Sequence, residues 1–187
     1  IFKKFSMWII ETHLDGCYTI QPSKYKDERG SFMETYNKLR FHGHKDLDIE
    51  YVQDNLSVSK KNVIRGLHFQ TGEYAQAKLV SVAKGSVMDV VVDLRPDSKT
   101  YGEHIKVHLS AENGRQLFVP RGFAHGFISL EDGTVFTYKC DNYYHKGSES
   151  GLLYNDPDLG IEWHDPNIEV IVNEKDLQLP KLKDLKL

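Results

Sequence analysis

The chain has 187 residues with a formal net charge of −3, and 40% of its residues are hydrophobic and 27% charged. This length and composition predict one globular domain over residues 1–187 with a substantial core, and no apolar run approaches the roughly 20 residues of a membrane-spanning helix. The 24 Lys and Arg are dispersed among 27 acidic residues, so neither nucleic acid nor a membrane is expected as a partner.

Neither the N-terminus nor the cysteines indicate export from the cell. The chain begins basic and then apolar, but Ser6 breaks the apolar part, Glu11 follows it at once, and no small-residue cleavage site is present. We interpret residues 1–15 as an N-terminal extension or first strand. Cys17 and Cys140 suggest neither a disulfide framework nor a zinc site, so a cytoplasmic location is expected.

His68 is the first candidate for catalysis. It lies between apolar residues in a strand-like context, with Arg65 three positions before it and Lys78 ten positions after it. A histidine that moves protons needs nearby charge to adjust its pKa and to hold an anionic substrate. The alternative is a core histidine whose ring nitrogens are simply hydrogen-bonded.

Strand patterns dominate the middle of the chain. Residues 78–83 and 86–94 are β-branched runs joined at Lys84-Gly85, a tight-turn signature. Within the second run, Val90 and its even-numbered neighbours share one face, while Asp89 and the other odd-numbered residues share the opposite face. Further strands are predicted at 105–109, 116–120, 127–130 and 134–140. Turns recurring roughly every 8 to 12 residues favour an all-β sandwich or barrel over βαβ units.

Helical patterns are scarce. One short helix is predicted near residues 38–44 and another near the C-terminus. Residues 151–187 contain several Pro and Asp residues, and we expect this segment to wrap the barrel.

The segment from Gly114 to His125 resembles the second motif of the cupin superfamily. It consists of a glycine, five residues, Pro-x-Gly, two residues and a histidine. Pro120 and Gly122 are typical of a sharp turn, which would return His125 to the inner face of the barrel. The resemblance implies an all-β, double-stranded β-helix (jelly-roll) barrel with few short helices and an active site inside it.

A metal in this barrel is not expected. Metal-binding cupins resemble one another in a first motif of His-x-His followed by Glu, whereas this chain reads His68-Phe69-Gln70. Glutamine is a poor ligand for transition metals. His68 and His125 with a carboxylate remain the alternative ligand set.

A series of short motifs resembles the dTDP-4-dehydrorhamnose 3,5-epimerase family, in the same order and from about Gly16 to the C-terminus. The motifs are 27–34, 52–55, 65–70, 75–80, 93–95, 109–113, 122–127, 138–139 with 143–144, 156–157 and 174–176. Each motif alone is weak evidence, but their common order makes a chance match improbable.

This resemblance implies a cofactor-free epimerase that inverts C3 and C5 of a nucleotide-linked 4-keto-6-deoxy sugar. The expected reaction converts dTDP-4-dehydro-6-deoxy-D-glucose to dTDP-4-dehydro-L-rhamnose through enolates. A C4 ketone acidifies both neighbouring C–H bonds, so the enzyme needs a base, an acid on the opposite face and a cation near the enolate oxygen. By resemblance His68 is the base, Asp176 orients it, Tyr138 is the acid and Lys78 stabilises the enolate.

The resemblance also implies which residues hold the substrate. They are Arg29, Glu34, Gln53, Asn55, Arg65, Lys78, His125, Glu149 and Lys175. The two phosphates suit Arg65 and Arg29 because a guanidinium binds phosphate in a bidentate manner. Gln53, Asn55 and His125 are implied to contact the sugar and pyrophosphate, and Glu149 and Lys175 the nucleotide.

A homodimer with exchanged N-terminal strands is a further implication. Arg29 and Glu34 are assigned to an arm that reaches into the neighbouring subunit's site, and an exposed sheet edge provides a physical reason for such pairing. Asp89 is predicted either to pair with His125 inside the barrel or to face solvent.

Three alternatives remain open at this stage. Ser150 and Tyr154 stand where many family members carry Arg and Trp, which leaves the nucleotide undetermined. The first alternative is an epimerase of a sugar linked to a different nucleotide. The second is an epimerase that inverts only one carbon, C3 or C5. The third alternative is a cupin that is non-catalytic or binds a metal.

Overall fold

Strands dominate the computed structural model, which describes residues 7–163 and 167–186. The strands are β1 (Met7–Glu11), β2 (Tyr18–Pro22), β3 (Lys24–Asp27), β4 (Gly30–Met33), β5 (Gln53–Ser59), β6 (Ile64–Gln70), β7 (Lys78–Lys84), β8 (Ser86–Asp93), β9 (His104–Ser110), β10 (Gln116–Val119), β11 (Phe123–Ser129), β12 (Thr134–Cys140) and β13 (Glu149–Gly151). The α-helices in these ranges are single turns, α1 (Lys38–Phe41) and α2 (Glu174–Leu177). Residues 1–6 of the predicted N-terminal extension lie outside the described part of the chain.

Two antiparallel sheets form the walls of a barrel. The larger sheet has the strand order β1-β2-β10-β7-β12-β5, and the smaller has the order β13-β6-β11-β8-β9. Strands β3 and β4 form a separate hairpin. This arrangement confirms the all-β jelly-roll fold of the cupin type.

The barrel interior and its two outer faces each have an apolar core, and β8 shows how alternation separates them. Val87 and Val91 pack inside with Phe127 and Phe136, whereas Val90 points to the outside of the smaller sheet. Because successive side chains of a strand point to opposite faces, β8 is buried on both sides. The predicted division of its faces is confirmed.

The outer faces of both sheets are covered by non-strand segments. Trp163 and Leu152 belong to the C-terminal segment that packs on the smaller sheet, and the indole of Trp163 donates to the carbonyl of Tyr154 at 2.7 Å. On the larger sheet, Phe41 of α1 and the nearby Leu47 are buried against the strands. No helix in the described ranges is long and apolar enough to cross a membrane.

Several strands differ from the prediction. β11 begins at Phe123 rather than Phe127, because Phe123 already pairs with Asp93 of β8. The sequence pattern also misses the hairpin β3–β4, whose charged residues are depleted in strands in general. This hairpin is held by its own pairing and by the Lys24 ammonium, which donates to the carbonyls of Ala111 and Glu112 at 3.1 and 3.0 Å.

A buried carboxylate closes the loop between β8 and β9. Asp93 is fully buried and accepts from the Arg95 guanidinium at 2.9 and 2.7 Å, from Ser98 at 2.6 Å and from Thr100 at 2.7 Å. Burial raises the pKa of Asp93, but these hydrogen bonds outweigh it and lower the pKa to about 2. The Arg95 guanidinium lies 4.5 Å from the centroid of the Phe123 ring and so fastens this loop to β11.

Asp93→Asn is expected to destabilise the protein in a pH-dependent way. A carboxyl with a lowered pKa stabilises the folded state above its unfolded value, roughly 3.9, and this contribution is lost as the pH falls toward the folded value. The variant should lose about 3 kcal/mol of unfolding free energy at pH 7. Chemical denaturation at pH 7 and pH 3 should show a smaller difference at pH 3. Asp97→Asn, an exposed change in the same loop, is the control, and equal differences at both pH values would contradict this role.

Candidate active site

The two sheets bring the predicted catalytic residues to opposite walls of the barrel. His68 and His125 are cross-strand neighbours on β6 and β11 of the smaller sheet. Lys78 and Tyr138 lie on β7 and β12 of the larger sheet, on the same faces as the inward-pointing Val80 and Phe136. A ligand inside the barrel would therefore meet imidazole on one side and an ammonium and a phenol on the other.

His68 is paired with a buried carboxylate. Its Nε2 lies 2.8 Å from Oδ1 of Asp176, while Oδ2 of Asp176 accepts from the backbone N–H of Gly66 at 3.1 Å. Burial raises the pKa of Asp176, but the His68 hydrogen bond and charge, the Gly66 N–H and the charge of Lys175 together lower it. Asp176 is 1% exposed and the His68 side chain 32%, so an ionised carboxylate holds an imidazole that remains accessible.

Helix α2 positions the Asp176 carboxylate beside the imidazole of His68. Asn173 caps the helix, and its Oδ1 accepts from the backbone N–H of Asp176 at 2.7 Å. Lys175, the residue before Asp176 in the helix, forms an ion pair of 2.7 Å with Glu149 at the start of β13. No role is predicted for Asn173 from the sequence. The preference for asparagine at helix N-caps is the sequence signal that could have identified it.

A second carboxylate–imidazole pair lies deeper in the barrel. Nε2 of His125 is 3.0 Å from both carboxylate oxygens of Asp89, and Asp89 is fully buried. This confirms the predicted pairing, and the prediction of a solvent-facing Asp89 is wrong. Burial raises the pKa of Asp89, although the charges of His125 and Lys78 oppose the rise.

Lys78 and Tyr138 face the histidines as neighbouring polar groups. Nζ of Lys78 lies 5.9 Å from the centroid of the Tyr138 ring. Burial lowers the pKa of Lys78, partly offset by Cys140, Asp89 and Glu149. Burial also raises the pKa of Tyr138, which keeps the phenol protonated at neutral pH.

Other candidates form a polar wall beside these groups. Nε of Arg65 donates to Oγ of Ser59 at 3.1 Å, across the gap between β6 and β5. On β5, Nε2 of Gln53 donates to Oδ1 of Asn55 at 3.1 Å, and Asn55 pairs with Tyr138 in the ladder. Nδ2 of Asn55 lies 3.7 Å from Sγ of Cys140, and burial raises the pKa of the Cys140 thiol to about 11.

Arg29 and Glu34 have local partners in the single chain. Arg29 occupies the turn between β3 and β4, where its exposed guanidinium pairs with Asp27 at 2.6 Å. Glu34 accepts from Asn37 at 3.1 Å and pairs with Arg40. The role of these two residues in a neighbouring subunit stays a prediction.

No group of three or more His, Cys, Asp or Glu side chains placed to hold a metal occurs among residues 7–163 and 167–186.

The close approach of Gly66 on β6 and Gly126 on β11 determines where the two histidines lie on these strands. The pairing of β6 with β11 shifts between His68 opposite His125 and Arg65 opposite Phe127, so β6 carries one extra residue. In a regular strand, residues three apart point to opposite faces, and this bulge lets both Arg65 and His68 turn inward. A Cβ on Gly66 would lie 2.7 Å from the Cα of Gly126, and Gly66 has φ of +115°.

Comparison with known proteins gives a consistent result. A family model described as dTDP-4-dehydrorhamnose 3,5-epimerase matches residues 11–184. The curated protein of that name from Methanothermobacter thermautotrophicus is 48% identical over 176 residues, covering 94% of each chain. A crystal structure of the Elizabethkingia anophelis protein of that name is 50% identical with a TM-score of 0.90, covering 95% of this chain and 97% of that one. The Legionella pneumophila dTDP-6-deoxy-D-glucose-3,5-epimerase in complex with dTDP-4-keto-L-rhamnose is 43% identical with a TM-score of 0.92, covering 97% and 95%.

Gly66→Ala should separate the two strands that carry the histidines. The new methyl group meets backbone atoms of β11, which cannot rotate away, so we expect a loss of about 3 kcal/mol or more in unfolding free energy. Gly30→Ala is the matched control, because Gly30 has φ of +128° but no atom within 4 Å of the added Cβ. It should cost less, about 1 to 2 kcal/mol, which is the effect of the backbone conformation alone. Equal losses in chemical denaturation would show that the contact with Gly126 is unimportant.

Proposed function

Because this chain belongs to the dTDP-4-dehydrorhamnose 3,5-epimerase family, we propose that it inverts C3 and C5 of dTDP-4-dehydro-6-deoxy-D-glucose to form dTDP-4-dehydro-L-rhamnose. The protein is an isomerase of the epimerase type. The proposed reaction uses the side chains of the barrel alone, without a cofactor.

The observation that carries this proposal is the division of acid–base groups between two walls. His68, backed by Asp176 at 2.8 Å, lies on the smaller sheet, while Lys78 and Tyr138 lie on the larger one. Epimerisation requires removal of a proton from one face of the sugar and its return to the other face. A protein that only binds a sugar needs no such set.

His68 removes the proton from the carbon next to the C4 ketone. Its Nε2 is bonded to Asp176, so the Nδ1 atom is the one free to accept the substrate proton. The imidazolium that forms is stabilised by the carboxylate, which the lowered pKa of Asp176 keeps ionised. His68 then releases this proton to solvent, and the same base serves the other of the two carbons, C3 and C5, in a second enolisation.

Lys78 stabilises the enolate oxygen. The ammonium lies beside Tyr138 on the wall opposite His68, and the Lys78 side chain is partly buried. A cation at such a position stabilises developing negative charge more strongly than it would in bulk water.

Tyr138 returns the proton to the opposite face. Its pKa, raised by burial, keeps the hydroxyl protonated until the enolate is present. The tyrosinate formed after transfer lies next to the ammonium of Lys78, which stabilises it until it takes up a proton again.

The rest of the substrate would be held at the mouth of the barrel. Arg65 binds the diphosphate, and Glu149 and Lys175 bind near the nucleoside. Gln53, Asn55 and His125 contact the sugar and pyrophosphate in this proposal. We further propose a cytoplasmic homodimer with exchanged N-terminal strands, in which Arg29 and Glu34 of one subunit complete the other subunit's site.

Solvent exchange tests the reaction directly. Incubation of the protein with dTDP-4-dehydro-6-deoxy-D-glucose in D₂O should place deuterium at both C3 and C5, as read by NMR or mass spectrometry. Label at one carbon would instead identify a single-carbon epimerase. Turnover confined to a sugar linked to another nucleotide would change the proposed substrate, and absence of label with every 4-keto sugar tested would remove the proposed function.

His68→Asn should reduce exchange at both carbons by at least about 10²-fold, because general-base catalysis contributes that much or more. His108→Asn is the control, since His108 is exposed on β9 and should exchange at the rate of the unmodified protein. Exchange retained in His68→Asn would assign the base to another residue.

Tyr138→Phe should separate proton removal from inversion. His68 can still form the enolate and return deuterium to the face from which the proton left, so label enters without epimerisation. Inversion should fall by at least about 10²-fold, measured from product stereochemistry, whereas Tyr101→Phe in the exposed β8–β9 loop should behave as the unmodified protein. Normal inversion in Tyr138→Phe would remove Tyr138 as the acid.

A further inference from the structure

Gln70 is a buried amide whose hydrogen-bonding groups are all engaged with backbone. It is the last residue of β6, two positions after His68, and is 7% exposed. Its Nε2 donates to the carbonyls of Tyr74 at 2.7 Å and Tyr143 at 3.2 Å, and its Oε1 accepts from the N–H of His145 at 2.7 Å. One side chain therefore joins β6 to two separate loops.

The two loops lead directly to catalytic and substrate-binding candidates. The first, 71–77, precedes Lys78 in the chain, and the second, 141–148, connects β12 with Glu149. Further amides fasten the loops to each other: Nε2 of Gln76 donates to the carbonyl of Asn142 at 2.7 Å, and Nδ2 of Asn142 donates to that of Glu73 at 2.8 Å.

The second loop presents aromatic and charged groups at the barrel mouth. Tyr143 and Tyr144 are 63% and 55% exposed. The hydroxyl of Tyr144 donates to Oε2 of Glu149 at 2.9 Å, and the same oxygen pairs with Lys175. Gln70 and Glu149 are direct partners in the pairing of β6 with β13, so the position of this rim depends on the end of β6.

We propose that Gln70 is a positioning residue for the nucleotide end of the substrate. It fixes loop 141–148, and with it Tyr143, Tyr144 and the Glu149–Lys175 pair, relative to the base His68 on the same strand. This inference rests on the proposed function for the identity of the ligand.

The chemistry of the amide explains why glutamine is required. Its two N–H donors face two carbonyl oxygens, and its oxygen faces an N–H. A carboxylate at this position lacks both donors and brings negative charge to the carbonyls, while a methionine of similar size leaves all three backbone groups without a partner. In both cases the loops lose their common anchor, while the His68–Asp176 contact, which involves neither loop, is retained.

The test compares Gln70→Glu and Gln70→Met with the unmodified protein. The measured quantities are the Kd of dTDP by calorimetry, and KM and kcat for dTDP-4-dehydro-6-deoxy-D-glucose. Loss of two or more hydrogen bonds should raise the Kd and KM by about tenfold or more. The value of kcat should change by less than about threefold, because Lys78 stays held by its pairing with Val119 and Cys140 in the larger sheet. Gln21→Met is the matched control, because Gln21 also donates to a backbone carbonyl, that of Asn113 at 2.9 Å, at the other end of the barrel.

The outcomes separate this inference from the proposed function. A parallel loss of kcat, unchanged values of Kd and KM, or variants that do not fold would each overturn the positioning role. If the unmodified protein binds dTDP but incorporates no deuterium, the proposed reaction fails. The Kd of dTDP in the variants then still decides the role of Gln70.

Discussion

The contact between the backbones of Gly66 and Gly126 is the constraint on which the site depends. It lets β6 and β11 approach without side chains between them, and the bulge beside it directs Arg65 and His68 to the same side. The N–H of Gly66 also remains available to Asp176. The imidazole of His68 and the carboxylate of Asp176 are thus positioned by the same few backbone atoms, so a change there affects both their geometry and the pKa of Asp176.

Two carboxylate–imidazole pairs of similar geometry have different electrostatics. Asp176 accepts from His68 and from a backbone N–H and lies near Lys175, so its pKa is lowered despite burial. Asp89 has His125 and the more distant Lys78 to offset a complete burial, and its pKa is raised. The hydrogen bonds and charges that favour the ionised form therefore outweigh the effect of burial on the pKa at Asp176 but not at Asp89. The two histidines differ in exposure as well, because the His68 side chain is 32% exposed and that of His125 only 8%.

The barrel interior combines an apolar half, which stabilises the fold, with a polar half that contains the residues proposed to bind the substrate. Phe127 and Phe136 stack at 4.2 Å across the two sheets, and the ring of His125 lies 6.0 Å from that of Phe136. Rigid packing below the site supports the distances above it, because interiors are packed as densely as organic crystals. The loops at the mouth are held by amide side chains, among which Gln70 and Asn142 each make three hydrogen bonds to backbone groups.

Sequence patterns alone predict the strand alternation of β8, the turn at Gly85, the all-β class and the family, and they supply the residues proposed for catalysis. These follow from local periodicity, backbone preference and short motifs, which need no knowledge of distant contacts. The early start of β11, the position of the hairpin β3–β4 and the hydrogen bonds of Gln70 depend on the tertiary structure. Each involves groups far apart in the chain, such as Lys24 with Ala111 and Gln70 with His145. The closure of the barrel determines which polar groups form hydrogen bonds with each other. Local sequence patterns do not predict these pairings.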